Sequence, residues 1–155
     1  MGYDEDQHDS RQSQPKTETD ERFPSGPWVG FWLQRPLVGR QWMRDLWLRF
    51  AQGRVNGGGV DCVGEFRFDG RYDLKTGRVM LIKQYLGAHT VQYDGRNEND
   101  GQWIWGVWRM REIGQSGGFH MWPKGVADPT QRRLADEVDA PAEERAEAAV
   151  GAGRD

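Results

Sequence analysis

The chain has 155 residues, with 21 Lys plus Arg against 24 Asp plus Glu, a formal net charge of -3, one Cys and a mean hydropathy of -0.88. That length holds one domain, a single Cys forms no internal disulfide, and no apolar run approaches the roughly 18 residues of a transmembrane helix. The opening MGYDEDQHDSRQSQ has neither the basic and apolar regions of a secretory signal nor the low acidity of a transit peptide, so a soluble, cytoplasmic protein without membrane contact is expected.

Composition divides the chain into three zones. Residues 1–25 carry 3 basic and 7 acidic groups, residues 26–124 carry 14 and 9, and residues 125–155 carry 4 and 8, giving nets of -4, +5 and -4. The first zone is almost free of apolar side chains before Phe23 and is expected to be a solvated, disordered tail. All eight tryptophans fall in the middle zone, which must hold the core. The last zone is rich in Ala and Glu, and its spacing favours a weak helix over 142–150 without a wide apolar stripe to dock it.

In chain order, period-two alternation between frequent glycines predicts strands over 28–34, 42–51, 54–60, 64–73, 78–86, 89–94, 102–110 and 119–122. No helix longer than one turn is expected between them. The segment GEFRFDGRYD is the clearest, with Phe66, Phe68 and Tyr72 on one face and Glu65, Arg67, Asp69, Arg71 and Asp73 on the other. A four-residue loop at 74–77 sets Tyr72 opposite Val79, Gly70 opposite Leu81, Phe68 opposite Lys83 and Phe66 opposite Tyr85. A three-residue loop at 86–88 then sets Tyr85 opposite His89, Lys83 opposite Val91 and Leu81 opposite Tyr93. A tight turn at Gln52 and Gly53 puts Leu46, Leu48, Phe50 and Val55 on one face, continued by Gly57 and Gly59. Eight sequential strands without a crossover bury one apolar face best by closing on themselves, so an all-β, eight-stranded antiparallel up-and-down barrel is predicted over 26–124, with an open two-sheet sandwich as the alternative.

The triplets Gly30-Phe31-Trp32 and Gly106-Val107-Trp108 have the form G-x-W. The first resembles the opening strand of the calycins, which include lipocalins, fatty-acid-binding proteins and avidins, and GRYD at 70–73 and the Ile104, Gly106, Trp108 strand are similar to avidin strands. The resemblance covers the middle zone and implies a barrel whose interior binds a small molecule. A lipocalin-like arrangement would stack Arg109 or Arg111 on Trp32. The polar cluster with which avidins hold biotin has no counterpart in the chain, so biotin is not implied.

The deduced interior contains Lys83, Tyr85, His89 and Tyr93, with Tyr72 and Trp108 on the same side. A buried Lys must find an acid or a ligand. Asp61 is the expected partner, making either a structural pair or, with the ammonium as anchor and the aromatic rings as walls, a binding pocket. Cys62 lies between Asp61 and Val63 and reads as a small core residue, no nucleophile stands in a recognised setting, and His8, His89 and His120 have no metal-ligand spacing. A haem on His89 or His120 would suit such a barrel, but a single strand His is more often structural, so no metal and no cofactor are expected. The NGGG run at 56–59 lacks the Lys and Ser/Thr of a phosphate loop, and the middle zone's positive charge is dispersed, which argues against nucleic acid.

Parity places Met80, Ile82 and Leu86 on the outer face, and Trp103, Trp105 and Val107 beside them. Such an apolar surface predicts a homo-oligomer or a partner interface, unless Leu134 and Val138 fold back over it. The expected function is non-catalytic small-molecule binding, with a filled barrel acting as an interaction module as the alternative.

Overall fold

Strands form wherever the alternation is strict. In the computed structural model, which describes residues 16–97 and 102–130, they are β1 (Gly26–Trp32), β2 (Gln41–Ala51), β3 (Arg54–Val60), β4 (Glu65–Tyr72), β5 (Arg78–Tyr85), β6 (Thr90–Asn97), β7 (Ile104–Met110) and β8 (Gln115–Pro123). Each pairs antiparallel with its sequence neighbour, and β8 pairs back on β1 with Phe31 opposite His120. The sheet therefore closes into a barrel and leaves no free edge. It is the up-and-down barrel the sequence predicts, not the sandwich. One 3-10 turn, Arg111–Ile113, links β7 to β8.

The register through the middle of the barrel follows from the turns. Tyr72 faces Val79, Phe68 faces Lys83, Lys83 faces Val91 and Leu81 faces Tyr93. At 73–77 the Asp73 carboxylate accepts the backbone N–H of Lys75, and Gly77, at φ 76°, closes the loop by donating to the Asp73 carbonyl. In β2 the register shifts between Arg44 and Trp47, and Asp45 takes φ 53°; this bulge keeps both Met43 and Leu46 in the core. β8 starts four residues earlier than predicted, because Gly117 and Gly118 hide its alternation. Gly106 is required by close approach, since a Cβ there would stand 2.1 Å from the Asp94 carbonyl oxygen.

The two ends of the barrel differ. At one end Phe23, fully buried, packs on Phe50 and Tyr72 with ring centroids 5.4 and 5.1 Å apart. The chain leading to it is tied down by the Glu18 N–H donating to the Phe50 carbonyl at 2.8 Å and by the Asn97 amide donating to the Arg22 carbonyl at 2.9 Å. Residues 16–25 thus cap the barrel, contrary to the solvated tail expected from their composition. One aromatic ring and a few backbone hydrogen bonds suffice, and neither leaves a compositional signal. Residues 1–15 and 131–155, with the expected helix at 142–150 and with Leu134 and Val138, lie outside the described residues.

The outer surface also departs from expectation. Met80, Ile82 and Leu86 are exposed, but Trp103 is half-buried, and Trp105 and Val107 are buried at 8% and 1% exposure. Trp103 and Trp105 lie nearly parallel to the His120 ring, at 21° and 15°, and Trp103 Nε1 donates to His120 Nδ1 at 3.1 Å. The six-residue apolar face that predicted an interface is therefore not present as such. Beside it, Phe31, Leu33 and Trp122 form a second small core that Val126 covers. Arg40 fastens the covering segment, because its guanidinium bonds Asp128 at 2.8 Å and Thr130 at 3.1 Å while lying over the Phe31 ring at 4.5 Å.

Candidate functional site

The end opposite Phe23 is hollow. There the chain passes from β3 to β4 through Asp61–Gly64 and from β5 to β6 through 86–89, and the ends of β1 and β7 and the start of β8 complete the rim. The mouth holds a cavity of about 230 Å³. Trp32, Tyr85, Val91, Tyr93, Trp108 and Met110 form its walls, and Gln34, Val63, His89 and Gln115 its upper edge.

A buried ion pair lies among these walls. Lys83 points inward from β5 because its strand parity allows nothing else, and it is fully buried. Its Nζ lies 2.6 Å from Asp61 Oδ2 and donates to the Tyr93 hydroxyl at 3.1 Å. Asp61 Oδ2 also accepts from the Tyr85 hydroxyl at 2.7 Å and from Trp32 Nε1 at 3.1 Å. Its other oxygen accepts the backbone N–H groups of Val63 and Gly64, which shapes the loop and aims the carboxylate inward. Aromatic rings surround the ammonium, with the Phe66 centroid 4.2 Å and the Tyr85 centroid 4.9 Å away.

The electrostatics follow from this geometry. Burial alone would raise the Asp61 carboxyl, but the Lys83 charge and the converging donors outweigh it and hold the group below the usual carboxylate range. Burial pulls the Lys83 ammonium down to about 8, with Asp61 offsetting part of the effect. Burial, together with the neighbouring Asp61 charge, raises both the Tyr85 and Tyr93 phenols, so both hydroxyls keep their protons at neutral pH. The pair is charged and internally balanced, and it presents little net field to the cavity.

The predicted site residues separate into three groups. Tyr85, Tyr93 and Trp108 line the cavity, and His89 stands exposed at its rim with its ring 5.1 Å from that of Tyr85. Lys83 does not line it. Its ammonium bonds Asp61 and Tyr93, and this is the structural pair that was weighed from the sequence beside a ligand-anchoring role. Tyr72 belongs to the capped end, where its hydroxyl donates to Glu18 at 2.5 Å and where burial, then this hydrogen bond, push its phenol up to about 12. It takes no part in the cavity.

Sequence reasoning missed Trp32 as a wall, although its G-x-W triplet was visible. The ring beside it is Trp108, edge-on at 6.0 Å, where Arg109 or Arg111 was expected. Val91 and Met110 share the parity of residues already placed inside, so strand alternation was sufficient to find them. Gln34 and Gln115 lie at or beyond strand ends, where alternation gives no orientation. They meet across the mouth, with the Gln34 amide donating to Gln115 Oε1 at 2.8 Å.

Among the described residues, no group of three or more His, Cys, Asp or Glu side chains is placed to hold a metal ion, and no helix is long and apolar enough to cross a membrane. Cys62 is exposed and not the core residue expected. Its thiol turns outward beside Gln41, because the Asp61 carboxylate takes the inward place in that loop. In comparisons with protein-family models, with curated proteins and with solved structures, no match to the chain is found.

Proposed function

We propose that the protein is a calycin-like barrel that binds a small molecule, without catalysis, in the cavity at its open end. The observation that carries this reading is the division of the interior. The capped end is filled by Phe23, Phe50, Tyr72 and their neighbours, whereas the open end leaves about 230 Å³ between Trp32, Val91, Tyr93 and Trp108. A cavity of about 150 Å³ lined by apolar side chains holds benzene, and sites for drug-sized ligands begin near about 300 Å³. The space therefore suits a compact molecule of single-ring size. The closed eight-stranded meander and the G-x-W triplet on β1 support the calycin-like description.

The hydrogen-bonded floor favours binding over turnover. Asp61 and Lys83 neutralise each other, no side chain of the cavity wall is an activated nucleophile, and His89 has no acid oriented against it among the described residues. Native mass spectrometry of the gently purified protein, beside a denatured control, tests the reading. A retained small mass is expected in the wild type and is lost in Val91→Trp, whose indole occupies the cavity. A mass retained equally by both proteins would place the ligand elsewhere. The alternative of a filled barrel acting through an outer apolar face keeps only part of its motivating surface, because Met80, Ile82 and Leu86 are exposed whereas Trp105 and Val107 are buried.

A further inference from the structure

Counting donors and acceptors around the cavity narrows the class of ligand. Three of the four polar hydrogens on its aromatic walls are already used. Trp32 Nε1 and the Tyr85 hydroxyl both donate to Asp61, and Trp108 Nε1 donates to the Leu33 carbonyl at 3.0 Å. Tyr93 is different. Its oxygen accepts from Lys83, and its own hydrogen is donated to no group among the described residues. A phenol whose oxygen accepts from an ammonium is polarised into a stronger donor, since hydrogen bonds in a chain reinforce one another.

Charge narrows the class further. Among the described residues, none that lines the cavity carries a permanent charge, and Lys83 and Asp61 beneath it form one matched pair. An ionised ligand would be desolvated there with no counter-charge to meet it. The walls are built largely of aromatic rings, Trp32, Tyr85, Tyr93 and Trp108, against which a flat, ring-bearing molecule packs well. At the mouth the Gln34–Gln115 bond leaves Gln34 Oε1 and Gln115 Nε2 available, a second polar point for a substituent directed outward.

Resting on the binding reading above, we infer that the ligand is an uncharged, planar molecule of single-ring size whose carbonyl-type acceptor takes the Tyr93 hydroxyl. Tyr93 is then the residue that distinguishes acceptor-bearing rings from plain hydrocarbons. Lys83 acts as a positioning residue that holds the phenol oxygen and turns its hydrogen toward the ligand.

A series of near-isosteric probes tests this on the full chain, read from the Trp32 and Trp108 indole resonances in 1H–15N correlation spectra at neutral pH. Acetophenone and benzamide should shift both indoles saturably. Acetophenone should bind about fivefold more tightly than α-methylstyrene, which replaces the carbonyl oxygen by a methylene group. Benzoate and benzamidinium should bind about tenfold more weakly than benzamide, or worse. In Tyr93→Phe the preference for acetophenone over α-methylstyrene should vanish while α-methylstyrene still binds. Equal binding of acetophenone and α-methylstyrene to the wild type overturns the acceptor inference and leaves the cavity a binding site. Tightest binding by benzoate or benzamidinium overturns the uncharged class. Absence of any shift with all five probes overturns the binding reading itself. The wild-type series decides the matter even if Tyr93→Phe does not fold.

Discussion

Removing the ammonium of Lys83 exposes the energetics of the barrel most clearly. In Lys83→Met the side chain keeps an apolar stem as far as Cε, but Asp61 Oδ2 loses a cation 2.6 Å away. Two unit charges at that distance interact by about 6 kcal/mol at an effective dielectric of about 20. Part of this loss is offset because an ammonium no longer has to be buried, and because Tyr85, Trp32 and two backbone N–H groups still solvate the carboxylate. The expected net loss is about 3–5 kcal/mol, a large share of a domain's usual stability. Urea unfolding followed by tryptophan emission should show it as a lower midpoint with an unchanged slope. Adding Asp61→Asn, which keeps the acceptor for Val63 and Gly64, should recover most of the loss, and because Asp61→Asn alone leaves the buried Lys83 ammonium unpaired, the coupling in the double-mutant cycle should exceed that recovery.

The pH dependence has a definite sign. In the wild type the Asp61 carboxyl sits below its ordinary value, so its contribution is present above about pH 3.9 and is lost as pH falls through the lower folded value. In Lys83→Met burial outweighs the remaining donors and the folded value rises. Asp61 then carries a penalty at neutral pH that disappears on acidification, and the gap between the two proteins should narrow toward low pH. A loss under about 1 kcal/mol at neutral pH, or additivity of the two substitutions, would refute the reasoning.

Phe23→Ala should cost about 3–5 kcal/mol in the same unfolding assay, because Phe23 caps the barrel on Phe50 and Tyr72; a neutral result would make 16–25 the passive tail its composition suggests. Gly106→Ala should cost about 3 kcal/mol and Gly30→Ala only about 1 kcal/mol. The first Cβ meets the Asp94 backbone at 2.1 Å, while the second meets only side-chain atoms, Met121 Cγ and the terminal methyl of Met43, at 2.9 Å. Equal costs would contradict the contrast between rigid and yielding neighbours. Phenolate absorbance should show a step near pH 12 that is absent in Tyr72→Phe. The stabilisation tied to that raised value is present below about pH 10 and lost as pH climbs toward 12.

Much of the barrel can be read from strand parity. The β4, β5 and β6 registers follow from Asp73, Gly77 and Gly87, because turn residues with fixed offsets leave one pairing that keeps Phe66, Phe68, Leu81 and Tyr93 together. The Lys83–Asp61 pair is legible by the same route, since an inward Lys needs an acid within reach. What parity does not carry is position along the barrel axis. Tyr72 and Tyr85 share a face, yet one meets Glu18 at the capped end and the other meets Asp61 at the open end. Nor does parity tell outward from exposed, as Val107 shows: it points away from the barrel interior and is still buried. The residues outside strict strands, Phe23, Gln34 and Gln115, act through single contacts across long chain separations, and those depend on where the closed barrel brings its ends.

A crystal structure determined under xenon pressure tests the central claim most directly, because xenon enters apolar cavities of this size and scatters strongly. Xenon bound between Trp32, Val91, Tyr93 and Trp108, with none at the Phe23 end and the Lys83–Asp61 pair undisturbed, is the predicted result. A mouth filled by collapsed side chains, with no xenon among those four residues, would contradict it.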